Sequence, residues 1–250
     1  QFGLNFSYTD TKAKNLYAGD EFNIFRQAYA IKGLQYPTLR MTDFLRENGK
    51  IVLDQNGNVI PSEEEKVMGT MVPPYLFGFN TKFNYKSFTM GFQIDARLGS
   101  WMYSEVIPRM FAAGTHPETA KYDRQPFIMP NSVIRLADGS IVENNDIYSK
   151  GDKAWWTAYG NIQSVTAAKG DYLKLRELYI GYDLPQSWLV HQRVIKKASI
   201  GFVGNNLFII RHTSNTIGDP EALYNQTDGY NSFRQIPTSR SMGFNVNITF

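Results

Sequence analysis

The stretch Ser241-Met-Gly-Phe-Asn-Val-Asn-Ile-Thr-Phe250 decides how the rest of the chain is read. Met242, Phe244, Val246, Ile248 and Phe250 share one parity, while Ser241, Gly243, Asn245, Asn247 and Thr249 share the other. Successive side chains of a strand point to opposite faces, so this is a ribbon with one apolar and one polar side. A soluble sheet rarely leaves so apolar an edge unprotected. A barrel wall in lipid requires this pattern, because its outside meets hydrocarbon and its inside meets water.

The same alternation recurs upstream. Phe77, Phe79, Thr81, Phe83 and Tyr85 alternate with Gly78, Asn80, Lys82 and Asn84, and Lys86-Ser87 forms a tight turn. Phe88, Met90, Phe92, Ile94, Ala96 and Leu98 then alternate with Thr89, Gly91, Gln93, Asp95 and Arg97. Each arm runs about eleven residues, the length a tilted strand needs to cross a bilayer. Phe2, Leu4, Phe6 and Tyr8 alternate with Gly3, Asn5 and Ser7 from the first residues onward, so a piece of something larger is expected.

From Tyr172 to Asp183 the parity slips: Leu173 and Leu175 fall on one face, Leu178, Ile180 and Tyr182 on the other. A bulge near Arg176-Glu177 restores a continuous apolar side, and Leu184-Pro185 ends the strand, since proline cannot donate to a ladder. Ala198 to Ile210 follows with Ile200 and Phe202 outward, its register unsettled around Gly204-Asn205-Asn206. Six wall strands result, joined alternately by long connections (about 10–74, 99–170 and 211–237) and short ones (86–87 and 184–197). Outer-membrane barrels have long extracellular loops and short periplasmic turns, which puts the C-terminus in the periplasm.

The long connections carry their own signals. Lys50–Ile60 reads as a small hairpin about Asn56-Gly57, and Val133–Val142 as another about Asp138-Gly139. Phe22 to Ala30 is expected to be helical.

Bulk numbers agree with a barrel and exclude other classes. Hydrophobic residues make up 42% and mean hydropathy is −0.36, with no apolar run of about eighteen residues for a helical span. The 15 Tyr and 17 Phe suit strands and interfacial girdles. A net charge of +3, made of mixed signs with no basic tract, gives nucleic-acid binding no support. Without Cys there are no disulfides and no thiolate metal sites.

Four landmarks in order give a specific resemblance: Tyr172-Leu-Lys-Leu-Arg-Glu-Leu-Tyr-Ile-Gly-Tyr-Asp-Leu-Pro185, Gly204-Asn-Asn-Leu-Phe208, Gly218-Asp-Pro-Glu221 and Pro237 to Phe250. With Pro74-Tyr-Leu-Phe-Gly-Phe79 and Tyr85-Lys-Ser-Phe88 upstream, the chain resembles SusC/RagA-type TonB-dependent outer-membrane transporters from about residue 70 onward. The fold class this implies is all-β: a transmembrane antiparallel β-barrel, of which residues 1–250 form the C-terminal portion. That portion is about six strands of roughly 22, with long extracellular loops. The plug domain and TonB-contacting segment are absent from these residues.

The resemblance further implies uptake of an oligosaccharide or peptide and a SusD-like surface lipoprotein as lid. It also implies energy from TonB-ExbB-ExbD through the missing N-terminal part, and contact with outer-membrane lipid and lipopolysaccharide. No cofactor is implied.

Lumen-facing candidates for substrate contact are Asn80, Lys82, Asn84, Gln93, Asp95, Arg97, Asn245 and Asn247, for which the plainer reading is a hydrated wall. Lys174, Arg176 and Glu177 read first as an ion-pair network. Trp101, Tyr103, Trp155, Trp156 and Tyr159 lie in or near the longest loop, where they could stack on substrate or lid, or else pack the loop. Asp219 and Glu221 flank Pro220, and Glu63-Glu64-Glu65 follow Ser62; solvated carboxylates are the simplest expectation for both groups. His116, His191 and His212 are far apart, and no H-E-x-x-H, G-x-S-x-G or phosphate loop accompanies them, so neither catalysis nor a metal site is expected. By resemblance, Phe250 is the residue read by the barrel-assembly machinery.

Two other readings fit the same residues: a SusC-like barrel serving as a scaffold in a larger outer-membrane assembly, and a soluble β-sandwich carbohydrate-binding module. The last requires Phe83, Phe92 and Phe244 to meet in a closed interior.

Overall fold

The computed structural model describes residues 1–17, 19–190, 194–216, 218–222, 230–231, 236 and 238–250. Six strands, β1 (Phe2–Tyr8), β2 (Tyr75–Tyr85), β3 (Phe88–Leu98), β4 (Tyr172–Asp183), β5 (Lys197–Arg211) and β6 (Ser241–Thr249), form one sheet. They lie side by side in chain order, and every neighbouring pair is antiparallel.

Register puts the expected residues on common faces. Phe79 pairs with Leu4 and Ile94, Phe92 with Leu178, Ile180 with Met90 and Phe202, and Phe202 with Phe244. The apolar side does not close into an interior: Phe83 is 60% exposed and Phe244 85% exposed. A contiguous aromatic and aliphatic face of this extent is far beyond what a soluble monomer leaves bare. The soluble-sandwich reading is therefore corrected: among the described residues no second sheet covers the apolar side of the wall.

The expected bulge is present, with the ladders on both sides of β4 shifting register between Leu175 and Glu177. The extra residue, Arg176, stays on the polar side, and Leu178, Ile180 and Tyr182 return to the apolar side. On β5 the same irregularity falls opposite Asn206 and Leu207, where Asn206 takes φ +52°. This is the point where the sequence pattern alone left the register open.

The two short connections lie at one end of the sheet, beside Tyr85, Phe88 and Asp183. The three long ones leave the opposite end, beside Tyr8, Leu98 and Arg211. Residues 9–74 and 99–171 fold together over that end. Lys50–Leu53 runs parallel to Ser132–Arg135, which joins the two connections through backbone hydrogen bonds. Ser132–Arg135 and Ile141–Glu143 form the expected hairpin, with Gly139 at φ +84°. At Asn56-Gly57 the turn forms, with a Leu53–Val59 bridge and Gly57 at φ +74°, but Lys50–Leu53 takes its ladder partners elsewhere.

Phe22 to Ala30 is not helical. Glu21–Phe25 and Ala28–Ile31 are strands paired across a tight turn in which Arg26 has φ +54°. The alternating set Phe22, Ile24 and the ladder to Thr38–Phe44 outweigh the weak helical spacing, because each strand fills the hydrogen bonds of the next.

Two apolar cores hold this loop layer. One gathers Phe44, Leu53, Ile107, Phe111, Phe127, Ile134, Trp155 and Trp156; the other gathers Ala28, Leu39, Met41, Met71 and Tyr103. Helices α1 (Val106–Ala113) and α2 (Lys153–Asn161) meet in the first, where a Cβ at Gly160 would stand 2.6 Å from Phe111 Cβ, so only glycine permits the approach.

Leu178→Arg, near the middle of β4 on the apolar face, is expected to cost about 2–4 kcal/mol when the intact barrel folds reversibly into lipid vesicles. Gln93→Arg, at the same depth on the polar face, is expected to cost well under that. Equal penalties in the two folding titrations would contradict the assignment of faces.

Candidate functional site

The polar face is built by register. Asn80 pairs with Gln93, Asn84 with Thr89, and Lys82 with Gly91; Asp95 stands opposite Gly78 and Arg97 opposite Leu76. Asn245 and Asn247 occupy the same face of β6, opposite Gly201 and Ser199. All eight expected lumen residues therefore share one side. They do not form one cluster, because β4 and β5 lie between β3 and β6, a separation of about 14 Å at ordinary strand spacing.

The structure instead brings Asp95 and Arg97 together with residues of β4 and of the third long connection. Arg176 Nε donates to Asp95 Oδ2 at 2.7 Å. Its other two nitrogens hold Glu221 in a bidentate pair, Nη1 to Oε2 at 2.6 Å and Nη2 to Oε1. Lys174 Nζ donates to Glu221 Oε2 and to Thr238 Oγ1, each at 2.7 Å, and Tyr172 Oη donates to Glu221 Oε1 at 2.8 Å. Arg97 Nη2 stands 3.8 Å from the same carboxylate. Asp219 accepts from Thr238 Oγ1 at 2.6 Å and lies 3.7 Å from Lys174 Nζ.

Local sequence explains the arrangement. Tyr172, Lys174 and Arg176 share the polar parity, and the bulge that follows lets Leu178 return to the apolar side. In the connection, Pro220 offers no donor, so Asp219 Oδ1 takes the backbone N–H of Glu221 at 3.0 Å and closes a tight turn. Arg211 Nη1 donates to Gly218 O at 2.8 Å and ties that turn to the end of β5.

Electrostatics follow. Lys174 is only 2% exposed, so it is tolerable as a cation only with its carboxylates in place. Burial pushes the Glu221 carboxyl up, but the hydrogen bonds from Arg176, Lys174 and Tyr172 more than offset it and hold it down at about 2. Burial also raises Asp219, and bonds from Thr238 and the Glu221 N–H more than compensate, leaving it below the usual carboxylate range. Among the described residues, three cations (Arg97, Lys174, Arg176) face three carboxylates (Asp95, Asp219, Glu221), so their charges balance. The cluster holds no free base or activated nucleophile; its chemistry is that of a pin, fastening the third connection to the inner wall. The expectation that Asp219 and Glu221 are solvated is corrected, since the connection turns inward over β4.

Lys174 and Arg176 meet the expected network, whereas Glu177 is exposed. Nothing in the sequence could assign Glu221 as the partner, 45 positions from Arg176.

The loop aromatics divide. Tyr103, Trp155 and Trp156 are buried, which corrects the idea that they present faces to substrate or lid. Trp155 and Trp156 pack perpendicular at 4.7 Å, and Trp155 Nε1 donates to Gly57 O at 2.8 Å. Asp152 caps α2 by accepting from Trp155 N, which turns both indoles inward. Trp101 and Tyr159 are only half-buried and border open space. His116 stacks on Phe111 at 4.1 Å and its Nδ1 accepts from Glu118 N, while His212 Nδ1 accepts from Ser214 N; both stabilise turns. His191 and Pro237 lie outside the described residues. Glu63 and Glu64 are exposed, and Glu65 pairs with Arg40 at 2.8 Å. Among the described residues, no group of three acidic or histidine side chains is placed to hold a metal. Phe250 follows β6 and is exposed.

The six-strand sheet has counterparts among solved structures. The RagAB peptide transporter superposes on 100% of this chain and 26% of its own, with TM-score 0.63 and 14% identity. The RagAB peptide importer in its closed-closed state gives 0.64 at 16% identity, over 100% of this chain and 27% of its own. The sheet therefore has the fold of a stretch of barrel wall in the RagAB structures. In sequence, the chain is 24% identical over 210 residues to TonB-dependent receptor P3 of Formosa agariphila, covering 81% of this chain. It is 25% identical over 207 residues to TonB-dependent receptor P26 of the same organism, covering 79%. The chain spans 19% of the length of each of these relatives. No protein-family model matches it.

Glu221→Gln removes the charge that neutralises buried Lys174 and Arg176, and breaking such a pair costs about 3–5 kcal/mol. The expected result is earlier protease cleavage within residues 212–222 of the intact barrel, partly reversed by Lys174→Met. Because the carboxyl is held below its ordinary value of 4.5, its contribution is complete above about pH 4.5 and is lost as pH falls through about 2. Protease protection measured from pH 6 down to pH 2 should follow that window.

Proposed function

We propose that these residues form a stretch of wall in a TonB-dependent importer of the outer membrane. The observation that carries this is one sheet with an apolar outer face, a polar inner face, short turns at one end and a folded loop layer at the other. In this reading the outer face meets lipid and, toward the loops, lipopolysaccharide. The loop layer is external and the C-terminus periplasmic. A plug elsewhere in the protein is drawn by TonB-ExbB-ExbD, and substrate passes along the polar side past Asn80, Lys82, Asn84 and Gln93.

A SusD-like surface lipoprotein closes over the loop layer. Its support is the likeness to RagAB, which is described as a peptide transporter. The substrate is an oligosaccharide or a peptide, and the wall contributes shape and hydration rather than covalent chemistry. The pin of Lys174, Arg176 and Glu221 suits a wall that must hold its loops in place while other parts move.

Growth on the transported nutrient should depend on this protein and fail when TonB is deleted. A complex that assembles with its lipoprotein yet supports no TonB-dependent uptake of any oligosaccharide or peptide would favour the scaffold role instead. Phe250→Ala should lower the amount of folded protein in the outer membrane several-fold, read by heat-modifiable mobility on gels. Unchanged amounts would remove the assembly role from that residue.

A further inference from the structure

A cleft of about 440 Å³ opens in the loop layer where all three long connections converge. The first supplies Asp43, Arg46 and Lys66; the second supplies His116 and Tyr159; the third reaches its rim with Ser214 and Thr216. Its volume falls in the range of small-ligand sites, and no single hairpin makes it.

Its charges are unevenly matched. Asp43 Oδ1 is committed to Ser164 Oγ at 2.7 Å and to the Phe44 N–H at 2.8 Å. Burial raises Asp43, but these two bonds and the nearby cations outweigh it, so the carboxylate stays ionised. Arg46 Nε and Lys66 Nζ each stand 3.6 Å from Asp43 Oδ2, beyond hydrogen-bond range. Two cations thus share one carboxylate that is oriented by other groups. Glu118 does not settle the account, because it pairs with Lys121 at 2.7 Å. Burial lowers His116, which keeps its ring neutral near pH 7. Among the described residues one positive charge is left over: Arg46 also donates to Gly49 O at 3.2 Å and lies over Phe44, which satisfies its donors without neutralising it, and Lys66 is 61% exposed.

Part of the lining is aromatic. Tyr159 packs on Phe44 at 5.2 Å and on Phe111 at 5.3 Å, which fixes its ring. Its hydroxyl makes no hydrogen bond to a described residue. A fixed phenol whose hydroxyl has no described partner, in one cleft with a guanidinium and an ammonium that share a single carboxylate, suits a ligand with an apolar body and one carboxylate.

We propose that this cleft binds the carboxylate of an anionic oligomer, a uronate residue or the C-terminal carboxyl of a short peptide, between Arg46 and Lys66, with Tyr159 against its body. This rests on the import reading and narrows the substrate to members that carry a carboxylate.

The test uses the intact outer-membrane protein in detergent, titrated calorimetrically with four probes: an oligogalacturonate, a short free-acid peptide, the same peptide as its C-terminal amide, and a neutral maltooligosaccharide. The expected result is binding of at least one carboxylate probe, weakened tenfold or more by Arg46→Gln/Lys66→Gln. The charge-matched Lys150→Gln/Lys153→Gln variant, at two exposed positions outside the cleft, should bind as the unaltered protein does. Which carboxylate probe binds separates the uronate from the peptide source. Equal binding of amide or neutral probes, no effect of the double variant, or no binding by either carboxylate probe would each overturn the proposal. TonB-dependent uptake measured on the same variants separates the two ideas: uptake that persists unchanged in Arg46→Gln/Lys66→Gln sinks the cleft alone, whereas uptake independent of TonB sinks the import reading.

Discussion

Hydrocarbon offers the backbone no hydrogen bonds, so each wall strand must find its partners sideways in the next strand. That constraint organises this molecule. It makes the six strands neighbours in chain order, and it gives every strand two faces that meet two different solvents. It also sets the cost of irregularity, since an unpaired backbone group cannot fall back on water. The single bulge in β4 is accordingly placed where its side chain is used: Arg176 leaves the ladder and holds both Asp95 and Glu221.

The loop layer obeys ordinary aqueous rules. Its connections cannot borrow the wall's apolar face, which points away, so they build cores of their own from Phe111, Trp155, Trp156, Leu39 and Met41. A parallel pairing between Lys50–Leu53 and Ser132–Arg135 welds two segments about eighty residues apart into one body. The buried aromatics Tyr103, Trp155 and Trp156 hold the layer together rather than face outward, and burying an indole stabilises by more than an exposed stacking contact would.

Charge is handled in two ways in this molecule. Beside the wall, three cations and three carboxylates close on one another with short, directional bonds, and Lys174 is removed from water. In the cleft, Asp43 is oriented by a serine and a backbone amide, and Arg46 and Lys66 remain at arm's length from it. A satisfied cluster fixes geometry; an under-neutralised one leaves attraction for something else.

The alternation of apolar and polar residues by itself determined the wall: its strands, their faces, the bulge at Arg176-Glu177 and the order of long and short connections. Period-2 patterning is a local property, and a one-residue slip would turn Phe244 or Leu178 to the wrong side, so the register has little freedom. The Asp138-Gly139 hairpin was equally legible, because turn chemistry is also local. The strands of Glu21–Ile31, the burial of Trp155 and Trp156, the capture of Glu221 by Lys174 and Arg176, and the cleft around Arg46 and Lys66 were decided only by tertiary structure. Each depends on segments tens of residues apart meeting in space, and neither spacing nor residue type along a chain encodes which distant carboxylate or aromatic face will arrive.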